Sequence, residues 1–448
     1  MTPHAHVASA PSCPVRVSRG RLRRALGALG IGLASFVATT FAVEALLVRQ
    51  GFLFEPMRSR ANADEMLTRA EFSVHVQTNA LGFRESRLPA PPAPGTLRIV
   101  AIGDSFTQGY GVGADEGYTH RLETLLEDRS GRDVEVINLG VPGANPIDYL
   151  HHLRQVGLDY RPDVVLVGIM ANDVNDLRSV ERFGARGVMG VLRDVRTEAL
   201  DDRPVWKRLP HQLWPALYDL AATSVKRVRS NEAGAGARPG VPHPSDTEDV
   251  LPATRWREVL LELAGRYGRR DAVEAELARM PAGDRAALRA VVTGAWHFED
   301  EVDQTPLWTL LSLIEPRVYV DSVLLPPAYD GTWRAMTGIL AEIADDARAA
   351  GALPAFVFIP AAQQVVPEVR RFLERSGFAW DPRLLTDTTF ADRLRGFGDA
   401  HGVPVIDLLE PLRRARARER LYYLEDGHWT PAGHAVAAEV IAARVPLP

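Results

Sequence analysis

Cysteine is almost missing from this sequence. Cys13 is the only one in 448 residues, so no intramolecular disulfide can form and no cysteine-built zinc site is possible. A lipid attachment site would need an apolar run before the cysteine; here the run follows Cys13, which excludes that anchor. Lysine stands only at Lys207 and Lys226, and arginine supplies the other basic side chains. No Gly-Lys-Ser/Thr occurs, so there is no phosphate-binding P-loop. A basic balance is lacking as well. The formal net charge is −5 and the pI about 6.2, so no nucleic-acid partner is expected. What is present is ordinary for a folded protein, with 46% hydrophobic and 24% charged residues, and excludes bulk disorder. The length exceeds the ~100–200 residues of a typical single domain.

One long apolar run is present. Residues 25–43 read ALGALGIGLASFVATTFAV without a charge; Glu44 interrupts, and residues 45–48 continue it. About 19 helical residues at ~1.5 Å each just cross a ~30 Å hydrocarbon core. Arg16, Arg19, Arg21, Arg23 and Arg24 precede the run, and no acid precedes Glu44. The positive-inside rule then assigns residues 1–24 to a cytoplasmic basic tail and 25–48 to a transmembrane helix or uncleaved signal anchor. Everything beyond Arg49 falls outside, periplasmic or extracellular. A cleaved signal peptide is the alternative, but its core would be shorter, ~7–15 residues, and no clean Ala-x-Ala follows. A buried core helix does not suit a flank of five arginines.

Residues 49–96 read as a polar juxtamembrane linker ending in the semi-rigid Pro89-Ala-Pro-Pro-Ala-Pro-Gly95. Five short β-branched runs follow, at 97–102 (LRIVAI), 134–139 (VEVINL), 164–169 (VVLVGI), 355–359 (AFVFI) and 403–408 (VPVIDL). Apolar on both faces and separated by helical patterns, they predict parallel strands buried in an α/β sheet. Helices are expected over 118–128, 146–160 and 331–350, and a last one from Pro431, with Thr430 as cap. Residues 97–180 and 326–448 are thus two parts of one domain. Residues 181–325 lack strand signals and read as an inserted helical segment, a candidate lid, with a linker at 231–252. Helical spacing recurs at 255–267, 272–280 and 284–296. The segment's Trp206, Trp214, Trp256, Trp296 and Trp308 are read as packing residues.

Four strand ends carry groups suited to acyl transfer. The first leads into Gly103-Asp104-Ser105, a serine where a parallel strand meets a helix N-terminus; a helix cap is the competing role. The second leads into Asn138-Leu-Gly-Val-Pro-Gly143, whose glycines let backbone N–H groups approach a ligand or simply make a turn. The third leads into Ala171-Asn172-Asp173, where a side-chain amide can donate to an oxyanion or serve a turn. Near the C-terminus, Glu425-Asp426-Gly427-His428-Trp429 offers an imidazole with a carboxylate two residues before it. Each block alone is weak; the four in this order supply a nucleophile, two oxyanion donors, a base and its orienting acid.

The four blocks resemble those of the SGNH, or GDSL, hydrolase superfamily over roughly 79–180 and 325–448. Asn79-Ala-Leu-Gly-Phe-Arg84 is similar to a stretch preceding the first strand in membrane-anchored members. The resemblance implies a three-layer α/β/α flavodoxin-like fold with strand order 2-1-3-4-5. It implies a triad of Ser105, Asp426 and His428, an oxyanion hole of Ser105, Gly143 and Asn172, and no metal or cofactor. The family's usual spacing puts the acid three before the histidine, at Glu425. The Asp-x-His-Trp form here resembles polysaccharide O-acetyltransferases and favours Asp426. Ala171 replaces the usual glycine before Asn-Asp. The implied function is a serine-dependent acyl ester hydrolase acting outside the membrane on acylated envelope glycans. An O-acyltransferase using the same triad and an inactive envelope scaffold are the alternatives.

Overall fold

The computed structural model describes residues 35–43, 56–200, 250–296 and 301–448. The chain divides into two units, residues 1–55 with 203–239 and residues 56–202 with 240–448. Of the first, only 35–43 are described, and they are helical. Among the described residues no helix is long and apolar enough to cross a membrane. The expected span over 25–48 otherwise lies outside the described residues, as do Trp206, Trp214 and most of the expected linker over 231–252.

The second unit is built on a parallel five-stranded sheet. Two short strands come first, β1 (Asp64–Thr68) and β2 (Ser73–Gln77), followed by β3 (Leu97–Gly103), β4 (Val134–Gly140), β5 (Val164–Met170), β6 (Leu353–Ile359) and β7 (Val405–Asp407). The sheet order is β4-β3-β5-β6-β7, which is 2-1-3-4-5 for the five parallel strands. Every residue of β3 is buried, as expected for a central strand covered on both faces. The register runs from Leu97↔Val134 to Gly103↔Gly140 on one side of β3 and from Ile99↔Val164 to Ile102↔Val167 on the other. β7 adds only three pairs, Phe356↔Val405 to Phe358↔Asp407.

Two sets of helices cover the sheet. Helices Tyr118–Ser130 and Pro431–Ala442 pack on each other, the first against β4. Helices Pro146–Gln155, Ala171–Phe183, Asp330–Ala349 and Thr389–His401 form the other layer. There Phe390 and Phe397 stack on Phe358 and Phe356, at 5.2 and 6.2 Å between ring centroids. Burying each such ring stabilises the fold by about 1.5–3 kcal/mol. Thr430 caps the last helix by accepting from the Gly433 N–H. The helix expected over 146–160 ends at Gln155 and continues as a 3-10 turn, Gly157–Tyr160.

The inserted segment has a core of its own. Helices Gly187–Leu200, Trp256–Arg266, Arg270–Arg279, Ala282–Thr293 and Thr305–Ile314 gather Val191, Leu260, Leu263, Val292 and Leu310 into a separate apolar cluster. Trp256 and Trp296 pack against it, and Trp308 packs edge-on to Phe372. These are packing roles.

The stretch read as a linker over 49–96 departs from that expectation. From Pro56 onward it is bound to the domain: the Met57 N–H donates to Asp148 Oδ1 at 2.7 Å, and the Met57 carbonyl meets His152 Nε2 at 2.7 Å. It also carries the antiparallel hairpin β1–β2, paired from Asp64↔Gln77 to Thr68↔Ser73. The hairpin side chains are exposed or half-buried; β1 lacks apolar alternation, and in β2 only Val74 and Val76 alternate with polar neighbours, a signal too short to mark a strand.

Candidate active site

The end of β3 and a four-residue helix, Ser105–Gln108, form one side of the site. The helix lies directly on the strand ends because paired Gly103 and Gly140 leave room for it. A Cβ on Gly140 would stand 2.2 Å from the Gln108 nitrogen, and one on Gly103 2.2 Å from Thr107 Oγ1. No side chain larger than hydrogen fits at such approaches. Asp104, not Ser105, caps this helix: its carboxylate accepts from the Phe106 N–H at 2.9 Å. That leaves the Ser105 hydroxyl for another partner.

The partner comes from the loop before the last helix. His428 Nε2 lies 2.7 Å from Ser105 Oγ, and His428 Nδ1 lies 2.5 Å from Asp426 Oδ1. Glu425 turns away and pairs with Arg375 at 2.7 Å in solvent. Of the two candidate acids, the structure therefore brings Asp426 to the imidazole. An antiparallel bridge, Tyr422↔Trp429, closes the loop, and Trp429 is fully buried. The imidazole is flanked by Phe106 and Tyr110, with ring centroids at 4.9 and 4.6 Å. Burial opposes the imidazolium, but the Asp426 charge and hydrogen bond, with Asp104 beyond, outweigh it and raise the His428 pKa above its usual value.

Gly143 and Asn172 sit beyond the neighbouring strands β4 and β5. Gly143 is left-handed, with φ +73, and the Met57 methyl would lie 3.4 Å from a Cβ there. The Asn172 amide interacts with the Asp104 carboxyl, and its Nδ2 lies 3.5 Å from Asp176 Oδ2. Asp173 has a structural task. It accepts from the Met170 N–H and from the Tyr149 hydroxyl, at 2.9 and 2.7 Å, and so pins the start of the helix that carries Asn172. Asp176, one turn after Asn172, is pushed up to about 7 by burial, with the charges of Asp104, Glu315 and Asp148 adding.

Several supporting residues escape sequence reasoning. Phe106 and Tyr110 look like ordinary apolar positions there, and Met57 lies in the expected linker. Arg84 has a signal, the Asn-x-x-Gly-x-Arg stretch. Asn79 Oδ1 accepts from the Leu81 and Phe83 N–H groups at 2.9 and 3.2 Å and turns the chain. The Arg84 guanidinium then donates to the carbonyls of Gly109, Val112 and His75, at 2.7, 2.9 and 3.0 Å. It thereby ties the hairpin to the loop that follows the Ser105 helix. No group of three or more His, Cys, Asp or Glu among the described residues is placed to hold a metal ion.

Comparison with known proteins follows the same division. Residues 101–290 match the GDSL-like lipase/acylhydrolase family, and residues 319–447 match the SGNH hydrolase-like domain of the acetyltransferase AlgX. The first match contains Ser105, Gly143 and Asn172, and the second contains Asp426 and His428. No curated protein matches the chain. Solved structures similar to it include an acetyl xylan esterase, at 10% identity and a TM-score of 0.35 over 78% of this chain and 100% of that one. A GDSL-like lipase from Bacteroides thetaiotaomicron is 11% identical, with a TM-score of 0.32 over 79% and 90%. A mutant acetyl-xylooligosaccharide esterase from Geobacillus is 10% identical, with a TM-score of 0.32 over 79% and 95%.

Proposed function

Since the chain carries a GDSL-like lipase/acylhydrolase domain and an SGNH hydrolase-like acetyltransferase domain, and is an ester-acting enzyme or an O-acyltransferase, we propose that it removes acyl groups from envelope glycans outside the cytoplasmic membrane, with Ser105 as nucleophile. The observation that carries this reading is the hydrogen-bonded series Asp426–His428–Ser105. Ser105 Oγ attacks the ester carbonyl and its proton passes to His428 Nε2. Asp426 holds the imidazole tautomer and stabilises its cation. The backbone N–H groups of Ser105 and Gly143 and the amide of Asn172 receive the oxyanion, each donor worth about 3–4 kcal/mol of barrier. The alcohol leaves with the proton from Nε2. Water then gives a proton to Nε2 as it attacks the acyl-Ser105 ester; the bond from the acyl carbon to Oγ breaks, Nε2 returns the proton to Ser105 Oγ, and the acid is released.

A second reading differs only in the last nucleophile. The match of residues 319–447 to an acetyltransferase domain and the Asp426-Gly-His428-Trp429 block favour a sugar hydroxyl in place of water. Product analysis with an acetylated sugar donor and a glycan acceptor separates the two. Acetylated acceptor supports transfer, and free acetate alone, at saturating acceptor, supports hydrolysis.

The site of action rests on the run at 25–48 and the arginines before it. A reporter fused after residue 60 is expected to be active only if it works outside the cytoplasm. Activity of a reporter that needs the cytoplasm would reverse the orientation.

A further inference from the structure

The loop that carries Asp426 and His428 holds only half of its own backbone N–H groups. Within residues 423–428, three N–H groups stay inside the loop: Tyr423 to the His428 carbonyl at 2.9 Å, Gly427 to the Tyr423 carbonyl at 3.1 Å, and His428 to Asp426 Oδ1 at 3.3 Å. The other three all leave it for one carboxylate. Glu71 Oε1 accepts from the Leu424 N–H at 2.9 Å, and Glu71 Oε2 accepts from the N–H groups of Glu425 and Asp426 at 2.7 and 3.0 Å. The Arg420 guanidinium contacts the same carboxylate and balances its charge. Glu71 stands in the turn between β1 and β2, more than three hundred residues away in sequence, and its side chain is only 13% exposed.

The neighbouring Phe72 grips the same parts. Its ring packs on Tyr423 at 5.0 Å and edge-on to Tyr110 at 5.5 Å. Tyr110 flanks His428, and the Tyr423 hydroxyl donates to the Gly111 carbonyl at 2.9 Å. The hairpin tip therefore touches both the segment that follows Ser105 and the loop that carries its base.

We infer that Glu71 is a positioning residue for the Asp426–His428 pair, setting the loop backbone from which Asp426 meets the imidazole. The inference rests on the reading of Ser105, His428 and Asp426 as the acyl-transfer triad. Charged acceptors make strong hydrogen bonds to backbone N–H groups, and one carboxylate that takes three successive N–H groups fixes the path of the backbone between them. Without the carboxylate, three successive donors must find water, and the loop gives up the geometry that aims Asp426 Oδ1 at Nδ1.

The test uses the full-length protein and p-nitrophenyl acetate. Glu71→Ala is expected to lower kcat/KM by about 100-fold, the scale of a misplacement of ~1 Å. Asp426 and Asp104 are the charges that raise the His428 pKa, so a looser Asp426 should also move the acid limb of the pH profile to lower pH. Glu71→Gln keeps the side-chain length and one acceptor oxygen, and should recover part of both effects. If Glu71→Ala does not fold, Glu71→Gln carries the same two readouts. Folded variants with the wild-type rate overturn the inference. So does a lowered rate with an unmoved acid limb, which would mean support of the fold alone. Ser105→Ala is run beside them: if it keeps turnover, the triad reading itself has failed, and the fault does not lie with Glu71.

Discussion

Ser105→Ala is expected to lower kcat on an activated acetyl ester by on the order of 10⁵–10⁶-fold, the scale seen when a triad serine is removed. Among the described residues, Ser105 Oγ is the nucleophilic atom hydrogen-bonded to His428 Nε2, and alanine leaves no hydroxyl there to form the acyl-enzyme. The fold should hold. The cap of the Ser105–Gln108 helix is Asp104, and alanine is a good helix former. Were Ser105 the cap, its loss would cost about 1 kcal/mol of stability. The two roles thus separate in one experiment that combines a rate, a thermal melt and fluorophosphonate labelling. Turnover that survives in a folded variant removes Ser105 as nucleophile.

The second large effect is expected at Asp426. Asp426→Asn should cost about 10⁴-fold in kcat, because an amide at Nδ1 no longer stabilises the imidazolium and permits the wrong tautomer. Glu425→Gln should change little, since Glu425 is paired with Arg375 in solvent. The pH profile supplies a second readout. The base must be neutral to take the serine proton, so activity rises with pH through the His428 pKa. In the wild type that pKa is raised, which places the acid limb above the ordinary histidine value of about 6.5. Asp426→Asn removes the larger of the two charges that raise it, and the limb should move to lower pH. Equal losses in the Glu425 and Asp426 variants, or an unmoved limb in Asp426→Asn, would count against Asp426 as the orienting acid.

The parallel sheet was legible because its strands are nearly continuous β-branched runs, and those runs fall within a few residues of β3 to β7. The site residues were legible for a related reason. Ser105, Gly143 and Asn172 each stand just after a β-branched run, whereas His428 was singled out by its own block, Asp426-Gly-His428-Trp429, well beyond the last run. Distance decided what spacing left open. From sequence, Asp426 was preferred to Glu425 by resemblance; in space, the 2.5 Å contact to Nδ1 belongs to Asp426. The hairpin was illegible because strand signals come from burial, and β1 and β2 bury little. Glu71 was illegible for a different reason. A carboxylate that serves backbone N–H groups more than three hundred residues away leaves no local pattern, and those N–H groups are common to every residue type but proline.

The span between Ser105 and His428 has a consequence for biosynthesis. The two are 323 positions apart, and a ribosome adding ~5–20 residues per second needs roughly 15–65 s to cover that distance. Throughout that interval the nascent chain displays a serine without a base, and an unassisted hydroxyl is a poor nucleophile at neutral pH. The strand order places β7 at the sheet edge and the His428 loop after it, so the reactive pair closes only when the end of the chain arrives. The pair Ser105–His428 therefore stays incomplete until synthesis has passed His428, so the order of the elements along the chain also sets the order in which the site is assembled.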